Sequence, residues 1–174
     1  MSSLEFARPH RVDTIGDEPR TIEVEANADE RTALARRFEI LAIDRLTGRF
    51  TIRRDAAGIV ANGRVEAAVT QACTITGDPL PATIDESVDL RFVPEIEAGQ
   101  DEVEVADSDI DVLPYEVDAI DLGEVAAETM ALALDPFPRG PNAQAMLSEA
   151  GVLNEEQAGP FGALAALKEQ LTKK

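Results

Sequence analysis

The stretch VEAAVTQACTITGDPLPATIDESVDLRF, residues 65 to 92, predicts the centre of the fold. Apolar residues occupy alternate positions from Val65 to Val69, and they do so again, with one interruption, from Ile84 to Phe92. Alternation with a period of two is typical of a strand with one buried face. The Gly-Asp-Pro at 77–79 favours a turn between the two runs. The stretch therefore indicates an antiparallel hairpin.

Further alternating runs extend this sheet. Ile22 to Ala26 and Phe50 to Ile52 have the same period, while Gly48 and Asn62-Gly63 are typical of turns. Short strands are expected at 103–105 and 110–112. The sequence thus predicts an α+β fold with an antiparallel sheet, either open or barrel-like, flanking helices and a mobile C-terminal segment. We expect residues 1–138 to form a single domain, and residues 139–174 to form a linker and a C-terminal helix that can dock back on it.

Three helices are expected around the sheet. Asn27 can cap the first, with Glu30 completing a capping box. In IDLGEVAAETMALALDPFPRGP, residues 120–141, Asp121 can cap the second and Glu124 can return the hydrogen bond. Pro136 should end that helix at 134 or 135, because the residue before a proline avoids helical geometry. The third helix is expected at 162–171.

Charge is the strongest signal in the composition. The chain has 174 residues, a formal net charge of −18 and 44% apolar residues. Positions 92 to 138 contain 14 acids and no Lys or Arg. Such a chain is repelled by phosphate backbones and suits a basic protein partner, with residues 95–124 as the attracting surface. A surface that is acidic only for solubility is the simpler alternative.

One alternative keeps direct RNA contact open. Residues 1 to 91 contain 12 arginines and 16 acids, so a local basic face on an acidic body is conceivable. It requires these arginines to cluster in space: Arg31, Arg36, Arg37, Arg45, Arg49, Arg53 and Arg54.

No pattern for catalysis, metal or cofactor binding stands out. Cys73 is the only cysteine and His10 the only histidine, which is too few for a structural zinc site and gives no local nucleophile-base pair. We therefore expect no catalytic residue, no metal and no cofactor. A hydrolase that uses clustered carboxylates and a divalent ion is the enzymatic alternative, and a generic protein-interaction module is another.

The location expected from the sequence is the cytoplasm. No apolar run reaches the roughly 18 residues that a membrane span needs, and the first residues lack a signal-peptide pattern. A single cysteine fits a reducing compartment.

The segment after the second helix is the candidate partner-binding site. Asp135, Pro136, Phe137, Pro138 and Arg139 can form neither helix nor interior strand. Two prolines would hold the segment extended, so that it offers an aromatic ring and a cation at low entropic cost. Alternatively, Phe137 folds back and closes one end of the core.

Three blocks of the sequence resemble the YceD-like family of large ribosomal RNA subunit accumulation proteins, particularly its alphaproteobacterial branch. They are VEAAVTQACTITGDPLPATIDESVDLRF, IDLGEVAAETMALALDPFPR and GPFGALAALKEQL, and the second is the most specific. Many relatives have a Cys-x-x-Cys where this chain has Cys73 followed by Thr-Ile-Thr. A metal or redox role in those relatives therefore does not transfer.

The resemblance implies a function in assembly of the large ribosomal subunit. It suggests an accessory factor without catalytic residues, needed for accumulation of large-subunit ribosomal RNA. The family's genes commonly neighbour one for a small basic ribosomal protein. The partner expected from the resemblance and the charge is a basic ribosomal protein or a large-subunit assembly intermediate.

Overall fold

A computed structural model describes residues 5–94, 111–115 and 118–151. These residues form the following strands and α-helices: β1 (Pro9–Arg11), β2 (Arg20–Glu25), α1 (Ala28–Arg37), β3 (Ala42–Asp55), β4 (Gly58–Ala72), β5 (Pro79–Pro94), β6 (Asp111–Tyr115), β7 (Ala119–Asp121), α2 (Leu122–Leu132) and α3 (Ala143–Glu149). The chain divides into two compact units, Met1–Gln71 with Pro81–Pro136, and Ala72–Leu80 with Phe137–Lys174.

The first unit is built on a five-stranded sheet in the order β2-β3-β4-β5-β6. β2 and β4 pair antiparallel with β3, and β6 joins β5 in parallel. The predicted α+β class is confirmed, but the barrel-like alternative is wrong. Within the described residues the sheet is open, with β2 and β6 at its edges. Pro114 in β6 fits this position, because proline cannot donate to a ladder and is confined to edge strands or bulges.

Two predicted turns are wrong, because glycines that were expected to reverse the chain lie inside strands. Gly48 is within β3 and Gly63 is within β4, opposite Phe50, while the chain reverses at 56–57. A Cβ on Gly48 would stand 2.6 Å from Cε2 of Phe50, and one on Gly63 would stand 2.3 Å from the carbonyl oxygen of Arg49. The buried Phe50 ring needs both glycines for its space, which is a common reason for glycine in a strand.

Both predicted N-cap residues are confirmed, but the capping box predicted for the second helix is wrong, because the Glu124 carboxylate pairs with Arg37 instead. Asn27 accepts hydrogen bonds from the N–H groups two and three residues later, each at 3.0 Å, and Glu30 accepts from the N–H of Asn27 at 2.8 Å. Asp121 accepts from the N–H groups of Gly123 at 2.9 Å and Glu124 at 3.1 Å. Glu124 itself accepts from Arg37. α2 ends at Leu132, slightly before the predicted position.

The first unit also contains a two-stranded sheet of β1 and β7. β1 pairs antiparallel with β7, and Pro9 lies opposite Asp121 at the start of α2. The backbone of Phe6 passes so close to α2 that a Cβ on Gly123 would stand 2.1 Å from the Phe6 carbonyl oxygen. Phe6, Leu122 and the other residues of the inner faces form one largely aliphatic core.

The remaining sequence predictions have mixed outcomes. The 77–79 turn is confirmed, with Gly77 at a φ of +76°, and the strand predicted at 110–112 corresponds to the start of β6. The strand at 103–105, the helix at 162–171, residues 95–108 and residues 152–161 lie outside the described residues. No helix among those described is long and apolar enough to cross a membrane.

Candidate interaction surfaces

The segment Asp135–Arg139 follows α2 without regular secondary structure. Nε2 of Gln71 donates a hydrogen bond to the carbonyl oxygen of Asp135 at 2.8 Å. The N–H and hydroxyl of Thr74 donate to the carbonyl oxygen of Pro138 at 2.9 Å and 3.2 Å. The backbone of the segment is therefore held near both of its ends.

The side chains of this segment face outward. Phe137 is 70% exposed, Asp135, Pro136 and Arg139 are also exposed, and Pro138 is half-buried. This exposure gives no support to the alternative in which Phe137 closes one end of the core. A role of the segment in binding a partner stays a prediction.

The arginines of the sheet do not form an uncompensated basic surface, because carboxylates lie across the strands from them. Arg49 in β3 pairs with Glu23, its register partner in β2. Arg45 binds Glu66 of β4 at 2.7 Å. On the neighbouring strands Arg64 of β4 holds Asp85 of β5 with two hydrogen bonds. Arg53 lies 3.9 Å from Asp55 of its own strand. Opposite charges placed across a ladder neutralise one another.

Three of the other arginines predicted to contact RNA also have partners within the protein. Arg37 donates to both carboxylate oxygens of Glu124, at 3.0 Å and 2.5 Å, and this pairing raises its pKa. Arg31 donates to the carbonyl oxygen of Ala26 at 2.6 Å. Arg54 donates to the carbonyl oxygens of residues 12 and 15. Arg36 is exposed. Six of the seven arginines on which direct RNA contact depended therefore lie against carboxylates or carbonyl oxygens of the protein.

Cys73 lies in the turn between β4 and β5. Its side chain is almost fully buried, and Sγ accepts hydrogen bonds from the N–H groups of Gly140 at 3.3 Å and Thr76 at 3.5 Å. These donors, with that of Gly140 the strongest, lower the pKa of Cys73 to about 6 against the opposing effect of burial. The sulfur helps to hold the turn, and its burial limits access by reagents.

A groove of about 540 Å³ lies between α2 and strands β5 and β6, and we call it the α2 groove. Its apolar side chains come from all three elements: Val88, Leu90, Val112, Leu113, Val125, Leu132 and Ala133. Leu132 is 87% exposed, although it belongs to a helix whose other face packs on the core.

Carboxylates surround the apolar part of the α2 groove. Glu86, Asp89, Asp111 and Glu128 line it, and no Lys or Arg of the described chain is among the lining residues. Partial loss of hydration raises the pKa of Glu128, and Glu124, one turn earlier, adds to the rise, whereas Arg37 opposes it. The groove therefore combines an apolar surface with uncompensated negative charge.

The described residues contain no group of three or more His, Cys, Asp or Glu side chains that could hold a metal ion. The four carboxylates of the α2 groove come from three elements, two of them from β5, and they form no such group. The hydrolase alternative gains no support from this part of the chain.

Sequence reasoning missed the α2 groove because its residues come from three segments that only the fold brings together. One available signal was the absence of cations from position 92 to 138, which covers β6 and α2. Leu132 gave no such signal, because its spacing from Val125 and Thr129 places it on the apolar face of the helix, and only the structure shows that it is exposed.

The fold and these surfaces define an acidic α+β protein with an exposed groove that is apolar and lined by carboxylates. The family described as "Large ribosomal RNA subunit accumulation protein YceD" matches residues 61–168, and the chain belongs to this family. No curated protein and no solved structure gives a significant match. The resemblance to the YceD-like family is confirmed, while the alphaproteobacterial branch stays a prediction, and membership indicates involvement in accumulation of large-subunit ribosomal RNA. The matched residues include the α2 groove and Asp135–Arg139.

Proposed function

We propose that this protein supports assembly of the large ribosomal subunit as a non-enzymatic factor that binds a basic ribosomal protein or an assembly intermediate carrying one. The neutralised arginines of the sheet are the observation that carries this proposal. The chain has a net charge of −18, and its sheet arginines lie against Glu23, Glu66 and Asp85. RNA is thereby reached through the partner.

The negative charge of the protein favours a basic protein over nucleic acid as its direct partner. Affinity for nucleic acid comes largely from Lys and Arg that displace counterions from phosphates, and a surface of paired arginines displaces few. The same negative field attracts a basic protein and raises the rate of encounter.

We also propose that Asp135–Arg139 takes part in the contact. Phe137 presents an exposed ring on a backbone that Gln71 and Thr74 hold in place, so little conformational entropy is lost when it docks. Aromatic and arginine side chains are the types that most often carry binding energy in interfaces.

The test uses the purified full chain with two probes: proteins extracted from large ribosomal subunits, and large-subunit ribosomal RNA free of protein. We expect the chain to retain one or a few basic proteins at low salt, to lose them as salt is raised, and to bind the RNA weakly. Tight RNA binding that needs no protein would refute the proposal.

Two variants test the contact segment. Phe137→Ala should weaken capture of the basic protein about tenfold, which is the usual loss for an aromatic residue that anchors an interface. Leu41→Ala is the matched control, because Leu41 is also an exposed apolar residue, at 54%. Equal capture by both variants would remove the segment from the interface.

A further inference from the structure

We propose that the α2 groove is a docking site for a basic amphipathic helix of the partner. This inference rests on the proposed function, because it identifies the surface and the kind of segment through which the basic protein is bound. It goes beyond the segment Asp135–Arg139, which the sequence had already suggested.

The shape of the groove favours a helix as the occupant. One wall is the face of α2 that carries Val125, Thr129 and Leu132, and the opposite wall comes from β5 and β6. An amphipathic helix places its apolar side chains in such a groove at a spacing of three or four residues. A volume of about 540 Å³ is within the range of sites that bury several side chains.

Addition of a strand to the sheet is a poorer fit. β6 is the edge strand beside the groove, but it has only five residues and includes Pro114. Proline and short length are features that protect sheet edges from pairing with another chain. Side-chain packing into the groove is therefore favoured over backbone pairing along its edge.

Charge determines which kind of helix would bind. Four carboxylates line the groove, and no described cation lines it with them. Glu128 is exposed, yet its environment disfavours its charge, because the groove removes part of its hydration and Glu124 lies one turn away. A lysine or arginine from the partner would relieve that cost, whereas an acidic segment or nucleic acid would increase it.

The exposed apolar surface argues in the same direction. Leu132 is 87% exposed and Val112 is 37% exposed, and both line the groove. Single exposed apolar residues are ordinary, but a cluster that lines a concave surface with a polar rim is typical of an interaction site. Removal of the Leu132 side chain from solvent would contribute directly to binding.

The experiment measures binding of a synthetic 15-residue peptide to the full chain. The peptide has leucines at positions 1, 4, 5, 8, 11 and 12, one tryptophan on the same face, and lysines and alanines elsewhere. The control peptide has the same composition in an order that breaks the single apolar face. Since the chain contains no tryptophan, the emission of the peptide reports its own burial.

Three results are expected. The patterned peptide binds at least about tenfold more tightly than the scrambled one, with a blue-shifted emission. Leu132→Ala weakens binding of the patterned peptide about tenfold, while Leu41→Ala leaves it within about twofold. Because Leu132 is largely exposed, its truncation should leave the thermal midpoint of the protein nearly unchanged.

A charge test complements the apolar one. Glu86→Gln combined with Glu128→Gln should weaken binding of the patterned peptide about fivefold. Asp17→Asn combined with Glu18→Gln removes the same charge from an exposed loop and should have less than about a twofold effect.

The outcomes distinguish this inference from the proposed function. Equal affinity for both peptides, or equal effects of the groove and control variants, would overturn the groove even if the chain still captures a basic ribosomal protein. Light scattering that shows a dimer made monomeric by Leu132→Ala would also overturn it, because a second copy would then occupy the groove. Failure to capture any basic ribosomal protein would refute the proposed function itself.

Discussion

Replacing Gly123 with alanine should destabilise the protein, although alanine is the better helix former. Gly123 is buried at the start of α2, where the backbone of Phe6 crosses the helix. An added Cβ would stand 2.1 Å from the Phe6 carbonyl oxygen and 3.1 Å from the backbone nitrogen of Arg8. Since real Cβ contacts do not fall below 3.0 Å, the Phe6 backbone would have to retreat by roughly 0.9 Å.

The magnitude follows from the opposing terms. Alanine gains up to about 1 kcal/mol over glycine in a helix. Overpacking against a backbone costs about 1–3 kcal/mol. Displacement of the crossing segment also weakens two hydrogen bonds, from the N–H of Leu122 to the Arg8 carbonyl at 3.2 Å and from the N–H of Arg8 to Asp121 at 2.8 Å. Each is worth about 1 kcal/mol, so we expect a net loss of about 2 kcal/mol.

The assay is equilibrium unfolding of the full chain in urea, followed by far-ultraviolet circular dichroism. A loss of about 2 kcal/mol with a slope of about 2 kcal/mol per molar lowers the midpoint by about 1 M. Gly16→Ala is the matched control: a Cβ there meets nothing within 4 Å, so its midpoint should stay equal or rise slightly. A Gly123→Ala midpoint at or above that of the unchanged protein would refute the reasoning.

Three further predictions concern charged groups. The first is a double-mutant cycle with Arg37→Ala and Glu124→Ala, measured by urea unfolding. The coupling energy should be about 1 kcal/mol, because the ion pair is bidentate and only partly exposed. A coupling energy near zero would mean that the pair contributes nothing to stability. The N–H donors that lower the Cys73 pKa from 9.0 to about 6 stabilise the folded state fully above about pH 9, and this contribution is lost as the pH falls through 6. Cys73→Ser should therefore cost more stability at pH 9 than at pH 6 in urea unfolding, and equal costs would contradict the lowered pKa. Because the pKa of Glu128 is raised, its charge destabilises the folded state above pH 4.5. Glu128→Gln should therefore raise the thermal midpoint at pH 7 and leave it unchanged at pH 4. A lower midpoint at pH 7 would show that the carboxylate is stabilising.

Local patterns predicted the strands and helix caps because their causes are local. Asn27 and Glu30 are three residues apart and satisfy one another wherever the helix lies. The turn predicted at Asn62-Gly63 is wrong because Gly63 makes room for the ring of Phe50. Phe50 belongs to β3, and only the register of the sheet places it opposite Gly63. Likewise, no local pattern shows that Pro9 pairs with Asp121.

The candidate surfaces follow the same distinction between local and tertiary causes. The lack of regular structure around Phe137 was accessible to sequence reasoning, since two neighbouring prolines exclude it, but the sequence left open whether the ring is exposed or buried. The charge of the sheet was not, because composition counts arginines and acids without saying which lie opposite one another. Eight of the twelve arginines among residues 1 to 91 form ion pairs with carboxylates, so the composition overstates the free positive charge of this part of the chain. The carboxylates of the α2 groove line it with no described cation, so the surface charge that a partner meets is more negative there than the average composition suggests.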